Sequence, residues 1–325
     1  MQHKTLFKWI IASISAVVVP ITIGFLIFVP FAKEPGYKFV ASWGQEGTLP
    51  GMFQDPTGIA IAGDEVFVAD SRNGRIQVFD LSGNLLRFFG QIGEGEGELG
   101  RPMGLAVHND EIYVAEYFND RIQVFDLDGT SKRIIGEPGD GPGQFNVPGG
   151  VAVASGGDVF VADFYNQRVQ HLRADGSFVK QWGSTGAVGI AAGQFNYPTD
   201  VVVGPNDTLH VADGYNDRIQ AFAGDGAFSH KWGGPFATNI FGPFNGWFAT
   251  VTGLGIGPEG NVFAADFYND RVQKFQPDGT FLTAFGESGD GPGQLGHPMD
   301  VALSADGSVF VTDFLNNRVE KWQPE

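Results

Sequence analysis

The stretch ADFYNDRVQ, residues 265–273, places two carboxylates, a guanidinium and two aromatic rings within nine positions. That density would suit a reactive site, but the stretch is not unique. VFVADSRNGRIQVF begins at Val66, IYVAEYFNDRIQVF at Ile112 and VFVADFYNQRVQHL at Val159. LHVADGYNDRIQAF begins at Leu209, VFAADFYNDRVQKF at Val262 and VFVTDFLNNRVEKW at Val309. Successive starts lie 46, 47, 50, 53 and 47 residues apart. A period of roughly fifty residues made of strand-like runs predicts propeller blades.

Each unit reads as four strands. A short apolar run after a proline is the first, as at Pro56 and Pro298. The Val-Phe-Val-Ala type run is the second, and it is apolar at every position, as expected where both sheet faces are covered. The third begins at the recurring arginine, and an Asp-Gly turn such as Asp128-Gly129 or Asp278-Gly279 leads into the fourth. The fourth ends in an aromatic residue and glycine, as at Trp182-Gly183. The last unit stops at Glu325 without a fourth strand, whereas KFVASWG, residues 38–44, matches the fourth strand SFVKQWG, residues 177–183. The sequence therefore predicts an all-β, six-bladed β-propeller of four-stranded blades, the last blade closed by the N-terminal strand. Closure removes the free edges that an open array would present.

In this frame the recurring polar residues are structural. The acid stands at Asp70, Glu116, Asp163, Asp213, Asp266 and Asp313, and the arginine five residues later at Arg75, Arg121, Arg168, Arg218, Arg271 and Arg318. Asparagine falls between them at Asn73, Asn119, Asn166, Asn216, Asn269 and Asn316. Across a tight loop the acid and the guanidinium can pair while the asparagine bonds turn backbone. A catalytic group is rarely needed six times.

These units, reading VADxxNxRIQ, together with the linkers GEPGDGPGQF (136–145) and GESGDGPGQL (286–295), resemble the NHL-repeat family. The resemblance runs from Tyr37 to Glu325 and implies the propeller fold. It does not imply one activity, because members of that family serve as protein-interaction modules, RNA binders, enzymes and extracellular sensors.

The chain has 325 residues, 48 glycines, 30 phenylalanines, no cysteine and a net charge of −17. Without cysteine there are no disulfides and no thiolate nucleophile or metal ligand. The acidic balance argues against nucleic acid, whose phosphates call for Lys and Arg. Residues 9–31, WIIASISAVVVPITIGFLIFVPF, carry no charge. As a helix they would span roughly 34 Å, enough for a hydrocarbon core of about 30 Å. The expected organisation is a cytoplasmic tail at 1–8, a single transmembrane anchor at 9–32 and the propeller at 33–325. Lys4 and Lys8 before the run keep the N-terminus in the cytoplasm, which places the propeller on the periplasmic or extracellular side.

An amidating lyase of similar architecture holds its metal with histidines. Here His108, His171, His210, His230 and His297 fall at unlike places in the repeat and His3 lies in the tail, so they do not form such a centre. At one first-strand position the units show Gly58, Gly104, Gly150, Asp200, Gly253 and Asp300. Asp200 and Asp300 are candidate ligands for a cation such as Ca2+ at the channel mouth; the plainer reading is that they bond neighbouring strand-end amides. The fourth linker departs from the others: residues 234–248, GPFATNIFGPFNGWF, are uncharged and carry Phe236, Phe241, Phe244, Trp247 and Phe248. Such a loop should plug the channel or dock on a partner or lipid surface. The functional expectation is an anchored, non-catalytic scaffold or accessory subunit of a larger membrane protein complex (respiratory, photosynthetic or secretory), with no cofactor. The alternative is an anchored hydrolase or lyase with a cation at the channel mouth.

Overall fold

The computed structural model describes residues 29–325. Six four-stranded antiparallel sheets follow one another around an axis, each in simple meander order. Blade one comprises Pro56–Ala62, Glu65–Asp70, Arg75–Asp80 and Leu85–Phe89, and blade four Pro198–Val203, Leu209–Asp213, Arg218–Phe222 and Phe228–Trp232. Each first strand touches the first strand of the next blade, and Pro298–Leu303 of the last touches Pro56–Ala62 of the first, so the ring is closed.

Closure occurs as the repeat arithmetic predicts. Blade six takes Pro298–Leu303, Val309–Asp313 and Arg318–Pro324 from the C-terminus and Tyr37–Trp43 from the N-terminus. The added strand pairs antiparallel with the third, from Tyr37 opposite Pro324 to Trp43 opposite Val319. The core is correspondingly divided into clusters that each join two neighbouring blades. Phe67 and Ile76 of blade one pack with Leu105 and Phe125 of blade two, and Phe310 and Val319 of blade six pack with Ile59 and Val68 of blade one. Second strands are buried along their length because they lie between two such clusters, which explains their unbroken apolar reading.

The expected anchor at 9–32 falls almost wholly outside the described residues. Residues 29–36 are irregular backbone leading to the first strand. Among the described residues no helix is long and apolar enough to cross a membrane.

Candidate functional site

Both carboxylates of the opening stretch serve the scaffold. In each blade the acid that ends the second strand is a buried hub. In blade five, Asp266 Oδ1 accepts the Ala249 N–H at 2.8 Å, and Oδ2 accepts Arg271 Nε at 2.8 Å, Asn269 Nδ2 at 2.8 Å and Gln273 Nε2 at 3.0 Å. The arginine continues outward to linker carbonyls, here those of Phe244 and Trp247. Glu116 forms the same hub in blade two despite its extra methylene, at 2.7 Å from Arg121 Nε. Burial raises the pKa of Asp70, Asp163, Asp213, Asp266 and Asp313, with the arginine and the amide donors opposing it. The second carboxylate, Asp270, accepts the His297 N–H of the next blade at 2.8 Å. Asp120, Gln167, Asp217 and Asn317 do the same for Val147, Tyr197, Thr250 and Asp55. Each of these rim residues has a left-handed φ, at +57° for Val147 and +61° for Thr250. The latch thus holds strained backbone at the mouth of the channel. A side chain standing next to the recurring arginine gave no hint of this role in the sequence, because its partner lies on another blade.

The first strands build the channel itself. All six carry a register shift just after their first residue, between Pro56 and Ile59 in blade one and between Pro198 and Asp200 in blade four. Such bulges re-aim side chains, and the residue concerned is Gly58, Gly104, Gly150, Asp200, Gly253 or Asp300. Glycine is needed at these places: a Cβ on Gly58 would overlap the Met103 carbonyl, and one on Gly150 would overlap the Asp200 carboxyl. The two aspartates bridge to the following blade. Asp200 accepts the N–H of Val201 (2.8 Å) and of Leu254 in blade five (2.8 Å). Asp300 accepts those of Val301 (2.8 Å) and of Ile59 in blade one (3.0 Å). Burial pushes the Asp200 carboxyl up to about 7. Burial and then the charge of Asp200 hold Asp300 well above the usual carboxylate range. Above them opens a bowl of about 270 Å3 whose walls include Met103, Met299, Tyr117, Phe164, Tyr215 and Phe267. Many of these rings pack on one another, Phe164 on Tyr197 at 4.9 Å and Phe267 on His297 at 4.4 Å.

No residue of 236–248 lines the bowl, so the fourth linker does not plug it. Its residues divide into two groups. Phe236 and Phe241 are 75% and 72% exposed, with Phe244 partly so, and Phe31, the last residue of the apolar run, is 71% exposed. Phe248 is 0% exposed and packs against Phe275 at 5.6 Å. The expectation that Phe248 binds a partner is therefore corrected: it occupies the core place held by Phe145 and Phe195 in other linkers. Reading Gly246-Trp247-Phe248 in register with Gly143-Gln144-Phe145 would have found it. Trp247 follows the same register, its carbonyl accepting Arg271 Nη2 and Gln273 Nε2 as Gln144 does in blade three. The loop meets the chain that emerges from the apolar run: Asn245 Nδ2 donates to the Pro30 carbonyl at 3.3 Å. The Lys33 N–H then bonds the Leu282 carbonyl at 2.7 Å, and Glu34 pairs with Lys274.

The described histidines do not gather into one centre, although His210 and His230 both pack on Trp232, at 5.8 and 5.4 Å. His171 pairs with Asp158 at 2.7 Å and stacks on Phe160, whereas His210 is buried with both ring nitrogens unpartnered and its pKa lowered to about 4, chiefly by burial. Among the described residues no three His, Asp or Glu side chains gather at metal-binding spacing.

The NHL repeat family model matches residues 53–79, 145–172 and 195–222, which are the first three strands of blades one, three and four with the ends of their linkers. Three of the six blades are NHL repeats. The other blades differ from these in places, at Glu116 in blade two, in the apolar linker into blade five, and at Thr312 and Glu320 in blade six. Among curated proteins none matches the sequence significantly. Solved structures share the fold at low identity. A structural genomics protein of unknown function from Bacteroides thetaiotaomicron has 16% identity and a TM-score of 0.68, over 90% of this chain and 77% of that one. A virginiamycin B lyase from Staphylococcus aureus, an inactive variant with quinupristin, has 14% identity and a TM-score of 0.58, over 89% and 100%. The WD40 propeller of Doa1 has 12% identity and a TM-score of 0.59, over 90% and 98%.

Proposed function

We propose that the chain is a membrane-anchored, non-catalytic propeller, an accessory subunit that stabilises a larger membrane protein complex from the extracytoplasmic side. The carrying observation is the meeting of two apolar elements far apart in sequence. Near the end of the uncharged run 9–31, Pro30 is held by Asn245 of the most apolar linker and borders one surface hollow with Phe236, while Phe31 and Phe241 are also exposed. Exposed apolar side chains on a linker that bonds the end of a membrane-length run suit a lipid face or the side of a membrane partner. The hubs support a scaffold role, since their acid, arginine and amide groups are spent on one another and on linker backbone. Extraction in mild detergent, followed by a native gel and mass spectrometry, should find the chain in a stoichiometric complex. Phe236→Ser with Phe241→Ser should release the partner, and unchanged co-purification would count against the docking role.

A second reading, an anchored hydrolase or lyase, draws on the two axial carboxyls, and a lyase shares the fold. It requires bound metal after mild purification, lost in Asp200→Ala with Asp300→Ala. Metal analysis finding none would dispose of it.

A further inference from the structure

We propose that the axial bowl is a binding site for a small organic ammonium ion with an apolar or aromatic body. Its volume of about 270 Å3 lies just below the roughly 300–1,000 Å3 of drug-sized sites, which fits a compact ligand. The walls are thioethers and ring faces, and ring faces attract cations. The threonine hydroxyls on the inner strands are already used between blades. Thr57 donates to the Pro102 carbonyl at 3.0 Å, Thr199 to that of Val251 at 2.9 Å and Thr252 to that of Pro298 at 3.1 Å. The charged acceptors at the floor are the carboxyls of Asp200 and Asp300. Each of their oxygens accepts one backbone N–H and retains a free lone-pair direction. A primary ammonium supplies three donors to such a pair.

The charges facing the bowl favour the same class of ligand. Besides the two aspartates, the titratable or charged residues lining it are Arg101, Tyr117, Tyr215 and Tyr268. Arg101 is drawn to the rim, 4.0 Å from Asp55 and over the rings of Tyr117 and Phe118 at 5.2 and 5.7 Å. The floor therefore has no cation of its own. Burial and mutual repulsion keep the pair from losing both protons, and Asp200, raised to about 7, is ionised above neutrality. An ammonium group provides the counter-charge that the fold omits.

Titration calorimetry on the detergent-solubilised full chain at pH 8 tests this with phenethylammonium, 2-phenylethanol and phenylacetate. The ammonium should bind at one site, about tenfold or more tighter than the alcohol, with phenylacetate weakest; a factor of ten corresponds to about 1.4 kcal/mol. Its affinity should fall about tenfold from pH 8 to pH 6 as Asp200 is protonated. Asp200→Asn with Asp300→Asn should abolish the preference for the ammonium, and Tyr215→Ala, which leaves the inner strands intact, should weaken its binding several-fold. Equal binding of the alcohol, tighter binding of phenylacetate, a flat pH profile, no saturable heat, or Ca2+ binding that excludes the ammonium would each overturn the proposal.

Discussion

In blade four, Gln220 donates to the Gln194 carbonyl at 2.7 Å and to Asp213 Oδ2 at 3.0 Å, and its Oε1 accepts the Gly193 N–H at 2.9 Å. Gln77, Gln123, Gln170 and Gln273 make the same three bonds in their blades. Blade six has Glu320 at this place. Its Oε1 instead faces Arg318 Nη2 at 2.9 Å, and a carboxylate, having no N–H, donates neither of the glutamine's two bonds. Five joints hold one acid for each arginine; the sixth holds two, on the strand that receives the N-terminus. Burial first, with Asp313 adding to it and Arg318 opposing it, raises Glu320 from 4.5 to about 7. One atom exchanged in a repeated joint has turned a neutral contact into a titratable one where the ring closes.

The largest effects should come from removing the hub acid. Asp213→Ala leaves Arg218, at 0% exposure, with no carboxylate, and should cost about 3–5 kcal/mol in urea unfolding. Asp313→Ala should cost less, because Glu320 remains to pair with Arg318. Equal losses would break the contrast between the two joints. In the fourth linker, Phe248→Ala should cost about 3–5 kcal/mol through the cavity it leaves. Phe241→Ser should stay within about 0.5 kcal/mol. A reversal would return Phe248 to the surface group.

Glu320→Gln should stabilise the protein on the order of 2 kcal/mol at pH 8, and hardly at all at pH 5. The raised pKa means that the folded state holds a proton the unfolded chain has lost between pH 4.5 and about 7. Stability therefore falls as pH rises through that window, and the amide removes the loss. Thermal melts across pH 5 to 8 read this directly; a constant difference would remove titration as its cause. The reciprocal Gln220→Glu should bring the same pH dependence to blade four with a loss of about 1–3 kcal/mol at pH 8.

Much of the architecture was legible because it depends on local spacing. The acid and arginine stand five apart and face one another across a single hairpin, so the hub follows from one repeat. The matching of residues 38–44 to a fourth strand fixed the closure of the ring without any view of it. Phe248 was misread because the length and apolarity of its linker drew more notice than its register with Phe145.

By itself the amino-acid order determined the strands, their number and the pairing within each blade, since those contacts are short in sequence and repeated. It also marked Asp200 and Asp300 as departures from a glycine position. Only the closed ring decided what they face, because side chains 100 residues apart meet at an axis that no single blade contains. The same holds for the Asp270 latch, for the pairing of Pro30 with Asn245, and for the second carboxylate beside Arg318. Each depends on which surfaces the ring brings together and shields from water.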